Sequence, residues 1–139
     1  MIPVLHQASC VAIGKRGILI EGPPGSGKSS LALALIDRGA TLIGDDGVLL
    51  ERRGSRLWAL PPPRIAGLLE IRNVGIATVP AVPAPVSLVL RLDDGAERLP
   101  EGPEQTTRAG VELPLTKLHP DTSVLPLRAE WALSLHGIP

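Results

Sequence analysis

At 139 residues the chain is the length of one domain and can bury about two-thirds of the surface its unfolded form exposes. Fourteen basic residues balance fourteen acidic ones, so nothing in the charge suggests nucleic acid or anionic membrane as an electrostatic partner, and nucleotide binding is left to a local site. Two Trp without Phe or Tyr imply an aliphatic core lacking base-stacking platforms, and a single Cys excludes an internal disulfide and fits a reducing compartment.

Residues 5–13 alternate loosely and residues 14–17 are turn material, so a hairpin is expected whose second strand leads into the glycine-rich loop at Gly22. His6 stands at its start, where a lone histidine is ordinarily a surface or satisfied core residue; Cys10 reads as a small core side chain. Ile18, Leu19 and Ile20 form a branched apolar run that ends at a turn, the mark of a buried strand.

Gly22, Pro23, Pro24, Gly25, Ser26, Gly27, Lys28 and Ser29 then fit the phosphate-loop pattern G-x-x-x-x-G-K-[ST] at every fixed position. Residues 31–36 are good helix formers, and Gly39 supplies a stop. The expected helix is apolar nearly all round, hence buried, and its N-terminus faces the loop, where free N–H groups favour phosphate. Lys28 is placed to reach the β- and γ-phosphates and Ser29 to offer its hydroxyl to Mg²⁺. A Gly/Pro-rich turn with a chance Lys-Ser is the bland alternative, and the strand–loop–helix context speaks against it.

Residues 41–44 read as a short buried strand ending in Asp45 and Asp46, where a magnesium-holding or proton-accepting acid would lie; a solvated Asp-Asp-Gly turn is the alternative. Residues 48–53 and 56–60 flank Gly54 as a second hairpin, with Arg52, Arg53 and Arg56 near its turn, and residues 61–63 form a proline connector. Glu70 and Arg72 share strand parity between apolar neighbours and belong either to a solvent face or to a site. Residues 86–92 form a further strand. Residues 93–110 read as a long polar loop, mobile or functional, and residues 111–118 as an edge strand. A C-terminal helix over residues 121–136, with Asp121 or Thr122 as N-cap, completes the chain. His119 and His136 are too isolated to suggest a metal site. No run is long and apolar enough for a membrane span and no leader-like segment opens the chain, so a cytoplasmic protein is expected.

Four segments in order carry a resemblance to a known family. They are Leu5-His6, the phosphate loop with its preceding Gly-Ile-Leu-Ile, Asp37-Arg38-Gly39 through Asp45-Asp46, and Leu69-Glu70-Ile71-Arg72 with Val74-Gly75-Ile76. Together they resemble the catalytic domain of HPr kinase/phosphorylase, over about the first two-thirds of the chain. The resemblance implies an α/β P-loop domain with a mixed β-sheet like that of phosphoenolpyruvate carboxykinase, one domain spanning residues 1–139. It implies an ATP- and Mg²⁺-dependent protein-serine kinase acting on an HPr-like phosphocarrier, and a homo-oligomer, hexameric in the family. By the same resemblance His6 is the catalytic histidine, Lys28 the phosphate-binding lysine, Asp45 or Asp46 the base, and Ser29 and Glu70 the metal ligands.

Departures from the family pattern refine this. Ser30 replaces a usual Glu, Asn73 a usual Gly, and residues 114–123 lack the family's arginine-bearing segment, which takes part in dephosphorylation. The resemblance therefore implies a short, kinase-only form without the N-terminal domain. Two other readings stay open: a nucleotide-binding regulatory module without catalysis, and a small-molecule kinase with residues 93–110 and Arg108 as its lid.

Overall fold

The computed structural model describes residues 2–120 and 122–139. Its strands are β1 (Val4–His6), β2 (Ser9–Ile13), β3 (Arg16–Glu21), β4 (Thr41–Gly44), β5 (Val48–Arg53), β6 (Arg56–Leu60), β7 (Leu68–Ile71), β8 (Gly75–Thr78), β9 (Ala84–Leu92), β10 (Glu104–Arg108) and β11 (Val111–Leu118). The helices are α1 (Lys28–Asp37) and α2 (Leu125–His136). A mixed nine-stranded sheet runs β1-β5-β6-β9-β3-β2-β4, with β11 added to β9 and β10 to β11; β7 and β8 form a separate ladder.

Strand β9 is the spine. It is the longest strand, buried through most of its length, and its apolar run allows a neighbour on either side. It pairs in parallel with β3 and with β11, while Ala84 and Pro85 at its start pair antiparallel with β6. Helices cover one face, where Ile18, Ile20, Leu88 and Leu90 meet Leu31 and Leu35 of α1 and Ala129 and Leu133 of α2. On the other face the curled sheet packs on itself, with Leu19 and Val89 against Leu50, Leu57 and Leu113. Among the described residues the buried core contains no aromatic side chain, and Trp131 lies on the surface.

Several expectations change in detail. The first hairpin is β2–β3; β1 breaks away before it and pairs with β5, Leu5 opposite Leu49. Helix α1 is buried along one face only, through Leu31, Ala32 and Leu35, because it lies on the sheet surface rather than within a core. Its end matches the expected stop, with the Gly39 N–H donating to the Ile36 carbonyl and the Ala40 N–H to the Leu35 carbonyl. The polar stretch 93–110 is not loop throughout, since residues 104–108 form β10. That strand takes the edge position expected of β11, which instead lies between β10 and β9. A polar edge strand is held by backbone pairing and shows no apolar alternation in sequence. Helix α2 starts at Leu125 with Val124 as its cap residue, so Thr122 is not the N-cap, although its hydroxyl accepts from the Val124 N–H at 3.3 Å. Asp121 lies outside the described residues.

Candidate functional site

The phosphate loop joins the end of β3 to the start of α1. Its left-handed turn at Gly27, φ 100°, disfavours any side chain, and that glycine is the cap residue of α1. Gly22 is needed for space, since a β-carbon there would lie 2.6 Å from Ser26 Oγ and 3.1 Å from Leu92 Cβ. The first turn of α1 carries neither an acidic residue nor a capping side chain. Its N–H groups and positive dipole end therefore face the loop without a capping side chain. Ser26 Oγ is buried and lacks a hydrogen-bond partner. The Lys28 ammonium donates to the loop's own carbonyls, 2.9 Å to Gly22 and 3.2 Å to Pro23. An orphaned hydroxyl, uncapped N–H groups and a lysine folded onto its own loop fit an anion of phosphate size.

Asp45 and Asp46 follow β4 directly and part in opposite directions. Asp45 is half-buried and fully engaged. Its Oδ1 accepts from Ser29 Oγ at 2.6 Å and Ser9 Oγ at 3.0 Å, and its Oδ2 accepts from the Glu70 N–H at 3.0 Å. One carboxylate thus ties β2, the start of α1 and β7 together. Asp46 is exposed and adopts φ 58°, a left-handed conformation that Asp tolerates better than most residues. Its N–H donates to Ser9 Oγ at 3.4 Å.

Glu70 is brought in by β7. Leu69 is buried and anchors the strand, so its neighbour Glu70 points to the exposed side. The β7–β8 turn places Asn73 at φ 67°, a left-handed conformation that Asn, after Gly, tolerates best. A cleft of about 300 Å³ is lined by Gly25, Gly27, Lys28, Ser29, Asp46 and Glu70, together with Pro24, Ser30 and Arg72. Among the described residues no cluster of three or more His, Cys, Asp or Glu forms a ready metal cage. The oxygen donors of Ser29 and Glu70 suit a hard cation that completes its shell with phosphate and water, as Mg²⁺ does.

Gly22, Pro23 and Ser26 of the loop do not line this cleft, nor does Asp45, which is hydrogen-bonded to Ser29 beside it; His6 is absent from the lining as well. Its Nε2 donates to Glu21 Oε2 at 2.7 Å. Glu21, the last residue of β3, is 8% exposed and also receives the Arg108 fork, Nη2 to Oε1 at 2.6 Å and Nε to Oε2 at 2.9 Å. Burial raises the Glu21 carboxyl, but the hydrogen bonds and charges of Arg108 and His6 outweigh it and lower the group to about 2. Arg108 is raised in turn by its hydrogen bond to Glu21. Sequence reading missed Glu21, whose only local sign was a charge ending an otherwise apolar strand. Arg108, the candidate lid arginine, is fixed at the base of the loop; its Nη1 also donates to Thr106 Oγ1 at 2.5 Å and to the Thr107 carbonyl at 2.9 Å. Cys10 is wholly buried, which raises its thiol and makes it a core residue.

A larger cavity of about 690 Å³ under residues 95–104 contains no phosphate-loop residue.

Residues 3–83 match the family described as HPr Serine kinase C-terminal domain. The HPr kinase/phosphorylase of Chlorobium phaeobacteroides is 32% identical over 127 residues, covering 81% of this chain and 38% of that protein. The Clostridium acetobutylicum protein of the same name is 47% identical over 66 residues, 48% of this chain and 22% of that one. The chain thus spans well under half the length of these relatives. A solved structure described as the Hpr(Ser) kinase/phosphatase from Coxiella burnetii superposes with TM-score 0.83 at 27% identity, covering 94% of both chains. That agreement includes the mixed, phosphoenolpyruvate carboxykinase-like P-loop sheet expected from sequence. By its matched residues, its relatives and its fold, the chain belongs to the HPr serine kinase C-terminal domain family.

Proposed function

We propose that this chain is an ATP-dependent protein-serine kinase that phosphorylates an HPr-like phosphocarrier. The observation that carries the reading is the convergence of Lys28 and Ser29 with Asp46 and Glu70 on one cleft. The loop amides and the α1 N-terminus bind the triphosphate, and Lys28 swings from its loop carbonyls to the β- and γ-phosphates. Ser29 and Glu70 would hold Mg²⁺, which when bound would neutralise charge developing on the phosphates. Asp45 orients Ser29 and β7 and has no oxygen free of a partner, so the base is Asp46. The carrier's serine oxygen attacks the γ-phosphorus as the bond to the β-bridging oxygen breaks. ADP departs, and the serine proton passes to the Asp46 carboxylate. His6 acts beside this centre; its strand register sets it opposite Val48, two residues beyond Asp46.

The locked Arg108 argues against the small-molecule kinase, which needs a mobile arginine over its second substrate. The missing arginine in residues 114–123 favours, as a second reading, a module that binds nucleotide without catalysis. Assembly as a homo-oligomer, six copies by resemblance, and a cytoplasmic setting belong to the same proposal and are tested by sedimentation and fractionation. Incubation with γ-labelled ATP, Mg²⁺ and an HPr-like protein tests the function. Label on a carrier serine is expected; nucleotide bound with no label transferred establishes the second reading instead.

A further inference from the structure

The cluster at the root of the phosphate loop lies outside the cleft lined by Lys28, Ser29, Asp46 and Glu70. A buried carboxylate costs several kcal/mol unless its lone pairs are filled, so Glu21 stands on its partners. Arg108 fills both oxygens from one side in a planar fork, the arrangement that fixes a carboxylate most tightly. The fork itself is immobile, because Nη1 is bound to Thr106 and Thr107. Arg91, opposite Glu21 in the β3–β9 register, adds charge at 3.8 Å from Oε1. Glu21 is therefore held in place whether or not His6 is present. Of the two partners that touch the carboxylate directly, His6 is the more open to solvent, its side chain 28% exposed against 16% for Arg108.

An ionised carboxylate can only accept, so the nitrogen of His6 that faces it carries hydrogen. We propose that Glu21, clamped by Arg108, is the positioning residue for His6: it fixes the ring orientation and keeps the proton on Nε2, leaving Nδ1 as the nitrogen available to the reaction. This role rests on the kinase reading. Glu21 immediately precedes Gly22, so the clamp also sets the ring relative to the phosphate loop. The geometry parallels the carboxylate–imidazole pair of hydrolytic triads, in which the acid orients the ring and takes no proton itself.

Glu21→Gln keeps the volume but turns one oxygen into a donor, so it cannot satisfy both the Arg108 fork and His6. Glu21→Asp keeps the charge and shortens the reach toward His6, and serves should the Gln variant fold poorly. The first readout needs no activity: the His6 ring N–H resonance in ¹⁵N-labelled protein. A resolved, strongly downfield Nε2–H signal is expected in the wild type, lost or moved upfield in both variants. The second is the rate of carrier phosphorylation. Both variants should lower kcat by roughly tenfold or more with little change in KM for ATP. His6→Ala should abolish their effect, so that the double variant is no slower than His6→Ala alone. An unchanged His6 signal in the variants overturns the proposal, as does an equal loss from Glu21→Gln with and without His6. A wild-type chain that transfers no phosphate overturns the kinase reading instead, and the resonance then decides the positioning alone.

Discussion

Glu21 makes stability depend on acid in a calculable way. Its carboxyl is held at about 2 in the folded chain against an ordinary value of 4.5. At about 1.4 kcal/mol per pH unit, that difference contributes about 3 kcal/mol when the group is ionised in both states. Because the folded value lies below the unfolded one, the contribution is complete above pH 4.5. It is lost as pH falls toward 2, when the folded chain also takes up the proton. Glu21→Gln removes the charge and leaves the rest of the molecule's titration in place. Urea denaturation of both proteins should show a gap of about 3 kcal/mol at pH 6, narrowing to about 1 kcal/mol at pH 3. Arg108 remains in the variant without its carboxylate, which places any error on the side of a larger gap at pH 6. A gap of the same size at both pH values would refute the reasoning, since it would mean that shape rather than charge holds this cluster.

Other consequences test separate parts of the structure. Asp45→Asn turns one acceptor into a donor among Ser9, Ser29 and the Glu70 N–H, and should cost about 1–3 kcal/mol in chemical denaturation. Gly22→Ala would push a methyl into Ser26 Oγ and Leu92, so calorimetric titration should show ATP binding weakened at least tenfold. Leu35→Ala empties a fully buried position between α1 and the sheet and should lower stability by about 2–5 kcal/mol, measured the same way as for Asp45. Lys28→Ala should leave the melting temperature within a few degrees of wild type, because the Lys28 ammonium donates to two carbonyls of its own loop, while phosphotransfer is lost.

What could be read from the sequence was what local chemistry demands. The phosphate loop is legible because a concave run of amides needs glycine at fixed positions, with lysine and serine next to them. The β5–β6 hairpin is legible because apolar runs flank Gly54. Asp45 and Asp46 were legible as a pair but not as two roles, since their difference depends on Ser9, Ser29 and β7 converging in space. Glu21 and Arg108 are 87 positions apart, and neither carries a local signal of burial. Strand β10 offers Glu-Gln-Thr-Thr-Arg, polar on both faces, and its place is set by backbone pairing to β11. His6 was legible only through resemblance, because one histidine in a short exposed strand has no periodicity to give it meaning.

The central claim is that the phosphate loop and Asp46 serve the same bound nucleotide. Asp46→Asn preserves the left-handed backbone and removes only the ability to take a proton. Single-turnover transfer from Mg²⁺·ATP bound to this variant, with an HPr-like carrier as acceptor, is the direct measurement. The expected result is wild-type affinity for ATP with transfer slowed at least a hundredfold; transfer at the wild-type rate would contradict the account.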